Sequence, residues 1–176
     1  MKKTISIVCI IFVLMFGMCI NSYDTFNAKA NVQGSDTMIS LNIDSIICEN
    51  LYKDASSFIG TPYRWGATGP KSFDCSGFIK YVFNMNNINL PRTSYYQYKH
   101  TKENLITKAE CKRGDLVFFK GSGRTKNRPV GHVGMIISND KNGIKFIHSS
   151  STGGVKISSL NEAYYKRKFI GITRIV

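Results

Sequence analysis

The chain has 176 residues, of which 43% are hydrophobic, and its 24 Lys and Arg against 11 Asp and Glu give a formal net charge of +13. This length predicts one domain with a substantial core, and the lack of repeats or low-complexity tracts excludes a solenoid. The positive charge favours polyanionic partners. The sequence carries no DNA- or RNA-binding motif, so we expect no nucleic-acid partner.

The first thirty residues have the pattern of an export signal. Lys2 and Lys3 precede an apolar run over 5–20, and Ala28-Lys29-Ala30 fits the small-x-small rule for signal peptidase. We therefore expect residues 1–30 to be a signal peptide, 31–41 a short lead-in and 42–176 the folded domain. Secretion or cell-wall association follows from this. A retained membrane anchor and lipid attachment at Cys19 are the alternatives.

Removal of residues 1–30 takes away three lysines and one aspartate, which leaves a formal charge of +11. For an exported protein, the available polyanions are wall polymers and lipid headgroups. A basic loop over 121–130 is the candidate contact, and the alternative is that it is simply a solvated run of charge.

Hydrophobic periodicity predicts helices in the first half of the domain and strands in the second. This order favours an α+β fold, in which N-terminal helices pack on an antiparallel sheet of about five to six strands. The predicted elements, in chain order, are a helix over 44–59, an extended loop over 60–70, a helix from Cys75, a short helix capped by Thr93 or Ser94, and strands over 116–119, 133–137, 144–147, 155–157 and 169–175.

The most informative segment is the one in which Asp74 and Cys75 precede an amphipathic run. A thiol at a helix N-terminus lies at the positive end of the helix dipole, so we expect a lowered thiol pKa. His132 and His148 lie on later predicted strands. A thiol, a base and a group that orients the base form a nucleophilic site, which predicts Cys75, His132 and His148 as catalytic residues.

Residues beside the thiol are candidates for binding the substrate. The backbone N–H of Cys75 and the hydroxyl of Tyr63 are candidate oxyanion donors. Asp74 and Ser76 flank the thiol and are candidates for binding amine or peptide groups of the substrate. Trp65, in the same loop as Tyr63, is expected to serve packing.

The remaining cysteines give no metal or disulfide pattern. Three cysteines follow residue 31, namely Cys48, Cys75 and Cys111, and no C-x-x-C pair exists. We therefore expect no metal and no cofactor. A bridge between Cys48 and Cys111 stays open.

Four stretches together resemble the NlpC-type (NlpC/P60) family of bacterial cell-wall cysteine peptidases, from about Asp44 to Arg174. The stretches are Gly60-Thr-Pro-Tyr-Arg-Trp-Gly66, Asp74-Cys-Ser-Gly-Phe78, Arg113-Gly-Asp-Leu-Val-Phe-Phe119, and Gly131-His-Val-Gly-Met135 followed by Phe146-Ile-His-Ser-Ser150.

The resemblance implies a papain-like fold, with Cys75 as nucleophile, His132 as base, His148 as the orienting residue and Tyr63 near the thiol. It also implies cleavage of peptidoglycan stem peptides, most often at the γ-D-glutamyl–diamino acid bond. Ala67 departs from the family, which commonly has a second glycine there. We expect a monomer. The competing hypotheses are a wall amidase or acyltransferase that uses the same thiol, and a non-catalytic wall-binding module.

Overall fold

The computed structural model describes residues 39–121 and 129–175. The predicted signal peptide and most of the basic loop lie outside these residues. The chain divides into two units, Met1–Ile43 and Asp44–Val176. Of the first unit, residues 39–43 are described and are helical. Within the described ranges, no helix has the length and apolar character needed to cross a membrane.

Four α-helices are described. Helix α1 covers 39–57 and is followed by the loop over 60–70, as the sequence predicts apart from a shift of its ends. The side chain of Asp74 caps α2 and that of Thr93 caps α3. The bounds of the other helices are α2 Cys75–Met85, α3 Ser94–Thr101 and α4 Ala163–Lys168, with a 3-10 turn over Lys102–Asn104 after α3.

The strands form one six-stranded sheet of order β1-β6-β2-β3-β4-β5, in which each described neighbour pair is antiparallel. The expected α+β fold and sheet are confirmed. The two-residue strand β1 was not predicted, and β3 is longer than its apolar run. The strands are β1 Leu105–Ile106, β2 Leu116–Lys120, β3 Val130–Asp140, β4 Gly143–Ser150, β5 Gly154–Ser159 and β6 Phe169–Thr173.

The sheet separates two hydrophobic clusters. On one face, helix residues such as Leu51 and Phe78 pack against strand residues such as Met135. On the other face, Tyr165 of α4 packs with Phe119 and with further strand residues. Successive strand residues point to opposite faces, so a strand can carry one side chain into each cluster.

A buried ion pair joins the last strand to the turn before β2. Asp115 is 1% exposed, and its two carboxylate oxygens accept from Nε and Nη2 of Arg174, each at 3.0 Å. The backbone N–H of Lys112 donates to the same carboxylate at 2.7 Å. Gly114 adopts a φ of +92° in this turn. The turn that contains Gly114 and Asp115 therefore ties the end of the chain to the start of β2.

Gly77, in the first turn of α2, lies against the 60–70 loop. A Cβ at this position would lie well inside contact distance of the Ala67 carbonyl oxygen. That carbonyl accepts from the backbone N–H of Asp74 at 3.0 Å. The absence of a side chain at residue 77 thus lets the loop approach the start of α2.

We expect Gly77→Ala to lower the free energy of unfolding by about 1–3 kcal/mol, because the added methyl group must displace loop backbone. In an ordinary helix interior the same change stabilises by about 1 kcal/mol, so the sign is diagnostic. Urea denaturation measures it, with Asn84→Ala on the exposed side of α2 as the control, which we expect to be neutral or slightly stabilising. A Gly77→Ala protein more stable than the wild type would contradict the close approach.

Candidate active site

The thiol of Cys75 lies between the start of α2 and strand β3. Its sulfur is within hydrogen-bonding reach of the backbone N–H groups of Val133, Ser76 and Cys75 itself. Cys75 is the first residue of α2, where backbone N–H groups have no partner within the helix. The side chain is half-buried. The contact with Val133 places the sulfur beside the residue that follows His132.

Asp74 holds this end of the helix in place. Its Oδ1 accepts from the backbone N–H of Gly77 at 2.7 Å, and its Oδ2 accepts from that of Gly66 at 3.1 Å. Arg92 donates to both oxygens, from Nη1 at 3.1 Å and from Nη2 at 2.6 Å. The carboxylate thus joins the loop, the helix and the segment before α3 at one point.

Ser76 and Gln97 complete the polar shell around Asp74. The Ser76 hydroxyl donates to Oδ1 of Asp74 at 3.2 Å and accepts from Nη1 of Arg92 at 3.2 Å. The fully buried Gln97 donates from Nε2 to the carbonyl oxygens of Ser76 and Pro91. These contacts occupy Asp74 and Ser76 within the protein, and a contact of either with substrate stays a prediction.

The thiol does not have the expected low pKa. Burial and then the negative charge of Asp74 raise the pKa of Cys75 to about 11, and the three backbone N–H groups only partly oppose this. The prediction of a lowered pKa was wrong because it counted the helix terminus and omitted the loss of solvent. In the resting site the thiol therefore keeps its proton at neutral pH.

The two predicted histidines are in direct contact. Nε2 of His132, on β3, lies 2.9 Å from Nδ1 of His148, on β4. The rings are nearly perpendicular, with centroids 4.9 Å apart. Burial lowers the pKa of His132 to about 4, and burial together with the charges of His132 and Lys156 lowers the pKa of His148 much further. Both rings are therefore neutral at pH 7.

His148 occupies the sheet face opposite to α2. It shares a face with Phe146, as the period-two alternation predicts, and their ring centroids lie 5.0 Å apart. This face packs on Tyr165 and not on the Cys75 helix. His148 is 0% exposed. It therefore acts on the thiol only through His132, which lies next to the residue that contacts the sulfur.

Tyr63 lies close enough to the thiol for the two groups to interact. Burial, followed by the charges of Cys75 and Asp74, raises the pKa of the Tyr63 hydroxyl. The backbone of Tyr63 forms an isolated bridge with Phe73, directly before the helix cap. This pairing holds the backbone of Tyr63 next to the helix cap, and a role of its hydroxyl in binding substrate stays a prediction.

Trp65 does not serve packing, and that prediction was wrong. The indole is 86% exposed, although its neighbours in the chain are fixed. The backbone N–H of Arg64 donates to the Phe73 carbonyl, and that of Gly66 donates to Asp74. The loop thus presents a large aromatic side chain to solvent two residues after Tyr63.

Four residues of the site were missed in the sequence, namely Arg92, Gln97, Ser158 and Tyr165. Ser158 and Tyr165 each lie 3.2 Å from Nε2 of His148, at the end of the chain of polar groups that begins at His132. Nothing in the local sequence pattern of Arg92 links it to Asp74, 18 residues earlier. The only signal in the sequence was the position of Arg92 between Pro91 and the predicted helix cap.

The other cysteines lie apart from this site. Cys48 and Cys111 are both buried and free, so the bridge left open from sequence is not formed. Among the described residues, no group of three His, Cys, Asp or Glu side chains is placed to hold a metal ion.

Comparison with known proteins identifies the chain. The family model of the NlpC/P60 family matches residues 60–174, which include every site residue named above. The chain belongs to the NlpC/P60 family. The papain-like fold implied by the resemblance is the fold of NlpC/P60 domains of known structure, so this expectation is confirmed.

Relatives of this NlpC/P60 chain include the murein DD-endopeptidase MepH of Escherichia coli, 40% identical over 67% of this chain and 42% of that protein. The probable peptidoglycan endopeptidase LytE of Bacillus subtilis is 38% identical over 77% of this chain and 35% of that protein. An NLP/P60 protein of Staphylococcus aureus superposes with a TM-score of 0.64 and 30% identity, over 74% of this chain and 41% of that one. The chain spans less than half the length of each of these proteins.

We expect Arg92→Gln to lower the free energy of unfolding by about 2 kcal/mol, because it leaves a buried carboxylate without its charged partner. Chemical denaturation at pH 7 measures this. Lys102→Gln is the matched control, since its ion pair with Glu103 is exposed and should contribute less than about 1 kcal/mol. Equal effects of the two substitutions would show that Arg92 does not support the Asp74 cap.

We also expect stability to fall as the pH drops from 7 to 5.5. The unfolded chain gains protons on His132 and His148 near pH 6.5, whereas the folded chain keeps both rings neutral, so protons favour unfolding. The loss is about 1 kcal/mol per ring over this range.

Denaturation at several pH values measures this loss. His148→Asn should remove one ring's share of it. A stability that does not change over this range in the wild type would contradict neutral buried rings.

Proposed function

We propose that this protein is an exported cysteine endopeptidase that cleaves the stem peptides of peptidoglycan. The observation that carries the proposal is the arrangement of the Cys75 thiol against Val133, next to the 2.9 Å pair of His132 and His148. A thiol, a neutral imidazole and a second ring that orients the imidazole are the groups needed for nucleophilic attack on an amide. The Tyr63 hydroxyl adjoins them.

In the proposed reaction, Nδ1 of His132 takes the thiol proton as the sulfur attacks the scissile carbonyl carbon. The negative charge passes to the carbonyl oxygen, which the backbone N–H of Cys75 and the hydroxyl of Tyr63 stabilise. The imidazolium then returns the proton to the leaving amine, and a thioester on Cys75 remains. Water, deprotonated by the same ring, hydrolyses the thioester and restores the thiol.

The protonation states of the resting site suit this sequence of steps. Because the thiol and both rings are neutral, proton transfer accompanies attack and no thiolate precedes it. The base is a free, unprotonated imidazole at every pH well above 4. The site thus avoids a charged thiolate–imidazolium pair in a desolvated position until a substrate carbonyl is present to accept the charge.

Similarity supports peptidoglycan as the substrate class. MepH is named a murein DD-endopeptidase, LytE a probable peptidoglycan endopeptidase, and a third relative, CwlT of Bacillus subtilis, a bifunctional muramidase and DL-endopeptidase. For this chain we propose the γ-D-glutamyl–diamino acid bond. The predicted signal over 1–30 would bring the enzyme to the wall, and the positive charge favours contact with anionic wall polymers.

We expect the purified protein to release peptides from isolated sacculi. Cys75→Ser should abolish release, because a serine hydroxyl is a far weaker nucleophile in this position. His132→Ala should lose most of the activity, since it removes the proton acceptor, a loss of about 10²–10⁴-fold. His148→Gln should retain a measurable part, because the amide can still hydrogen-bond His132.

Mass spectrometry of the digested muropeptides identifies the bond that is cut. Digestion with the folded Cys75→Ser protein is the control, and circular dichroism verifies its fold. Wild-type turnover by Cys75→Ser, or products cut only between glycan and peptide, would overturn the proposal. An absence of cleavage together with tight binding of the wild-type protein to sacculi would assign it to wall binding.

A further inference from the structure

The chain of polar groups behind the thiol continues beyond His148. Nε2 of His148 lies 3.2 Å from Oγ of Ser158 on β5 and 3.2 Å from the hydroxyl of Tyr165 on α4. Both residues are 6% exposed, and His148 is 0% exposed. The two hydroxyls therefore form a closed cluster around one ring nitrogen that solvent does not reach.

This cluster decides which nitrogen of each ring carries a proton. A neutral imidazole donates from one nitrogen and accepts at the other. If His148 carries its proton on Nε2, its Nδ1 must accept, so His132 donates from Nε2 and its Nδ1 is bare. If His148 carries its proton on Nδ1, it donates to Nε2 of His132. The proton of His132 is then on Nδ1. Only the first arrangement leaves a nitrogen of His132 able to take a proton from the thiol.

We propose that Ser158 and Tyr165 are positioning residues that accept the Nε2–H of His148 and thereby keep Nδ1 of His132 free as the base. The inference rests on the proposed function for its catalytic meaning, but the tautomers themselves can be measured without activity. Each hydroxyl oxygen lies 3.2 Å from Nε2 of His148 and has lone pairs that can accept this N–H. A buried Nε2–H with no acceptor is unfavourable enough to reverse the tautomer.

Two acceptors on one N–H predict that each can replace the other. Ser158→Ala and Tyr165→Phe should each lower kcat by less than about tenfold, whereas the double variant should lower it by about 10²-fold, with KM unchanged. Both changes conserve the packing, since the Tyr165 ring contacts with Phe119 and Phe146 do not involve the hydroxyl. Tyr164→Phe, which removes an exposed hydroxyl on the adjacent residue, is the matched control.

The deciding measurement is 15N NMR of the ring nitrogens at pH 7, where bare and protonated nitrogens have well-separated shifts. The chain has three histidines, and the exposed His100 gives an internal reference. In the wild type we expect the Nε2–H tautomer for both His132 and His148. In the double variant we expect both to change to Nδ1–H, and in Tyr165→Phe combined with Ser158→Thr, which restores a hydroxyl, we expect the wild-type tautomers.

The Nδ1–H tautomer of His148 in the wild type, or unchanged tautomers in a folded double variant, would overturn the inference and leave the proposed function intact. If the double variant does not fold, the same test applies to each single variant, in which a partial shift toward Nδ1–H is expected and its absence is contrary. If the tautomers change while kcat does not, Ser158 and Tyr165 set the tautomer as inferred, and the proposed role of His132 as the base is overturned.

Discussion

The position of the Cys75 thiol depends on one carboxylate, that of Asp74. Asp74 caps α2, binds the loop through Gly66 and pairs with Arg92, so three separate segments meet on its two oxygens. A carboxylate buried to this extent is stable only with such partners. The thiol follows Asp74 directly in the chain. Any change that displaces the carboxylate therefore also moves the sulfur relative to β3.

The negative charge of the same carboxylate disfavours ionisation of the thiol that it positions. Its charge adds to burial in raising the pKa of Cys75, against the helix terminus and the backbone N–H groups. Under the proposed mechanism, a thiol held in this way needs a base that is free at neutral pH. Burial of His132 and His148 provides one, because it lowers the pKa of both rings and keeps them neutral. Burial thus disfavours the charged forms of the thiol and of both rings, and under the proposed mechanism these groups become charged only when a substrate carbonyl can accept negative charge.

Much of the fold could be predicted because its signals are local. The start of α2 at Cys75 follows from a capping acid before an apolar period of one turn, and β4 follows from alternation up to His148. The features that could not be predicted from sequence depend on the tertiary structure. The sheet face that meets α2 depends on where α4 packs, and the exposure of Trp65 depends on how both ends of its loop are bound. The sign of the Cys75 pKa shift depends on the solvent that folding removes.

Some of the four stretches that resemble the family lie next to the thiol, and others only stabilise the fold. Their sequences alone do not show which is which. The stretch around Asp74 contacts the thiol, whereas Asp115 is bound by Arg174 and a backbone N–H far from it. Both are buried acids beside a glycine or small residue, and both pair with an arginine distant in sequence. They differ in the segment that follows. Asp74 caps a helix with a thiol in its first turn, whereas Asp115 precedes a buried strand. Both acids fix the backbone of the segment that contains them, but only Asp74 is followed by a thiol, which lies beside the strand that carries His132.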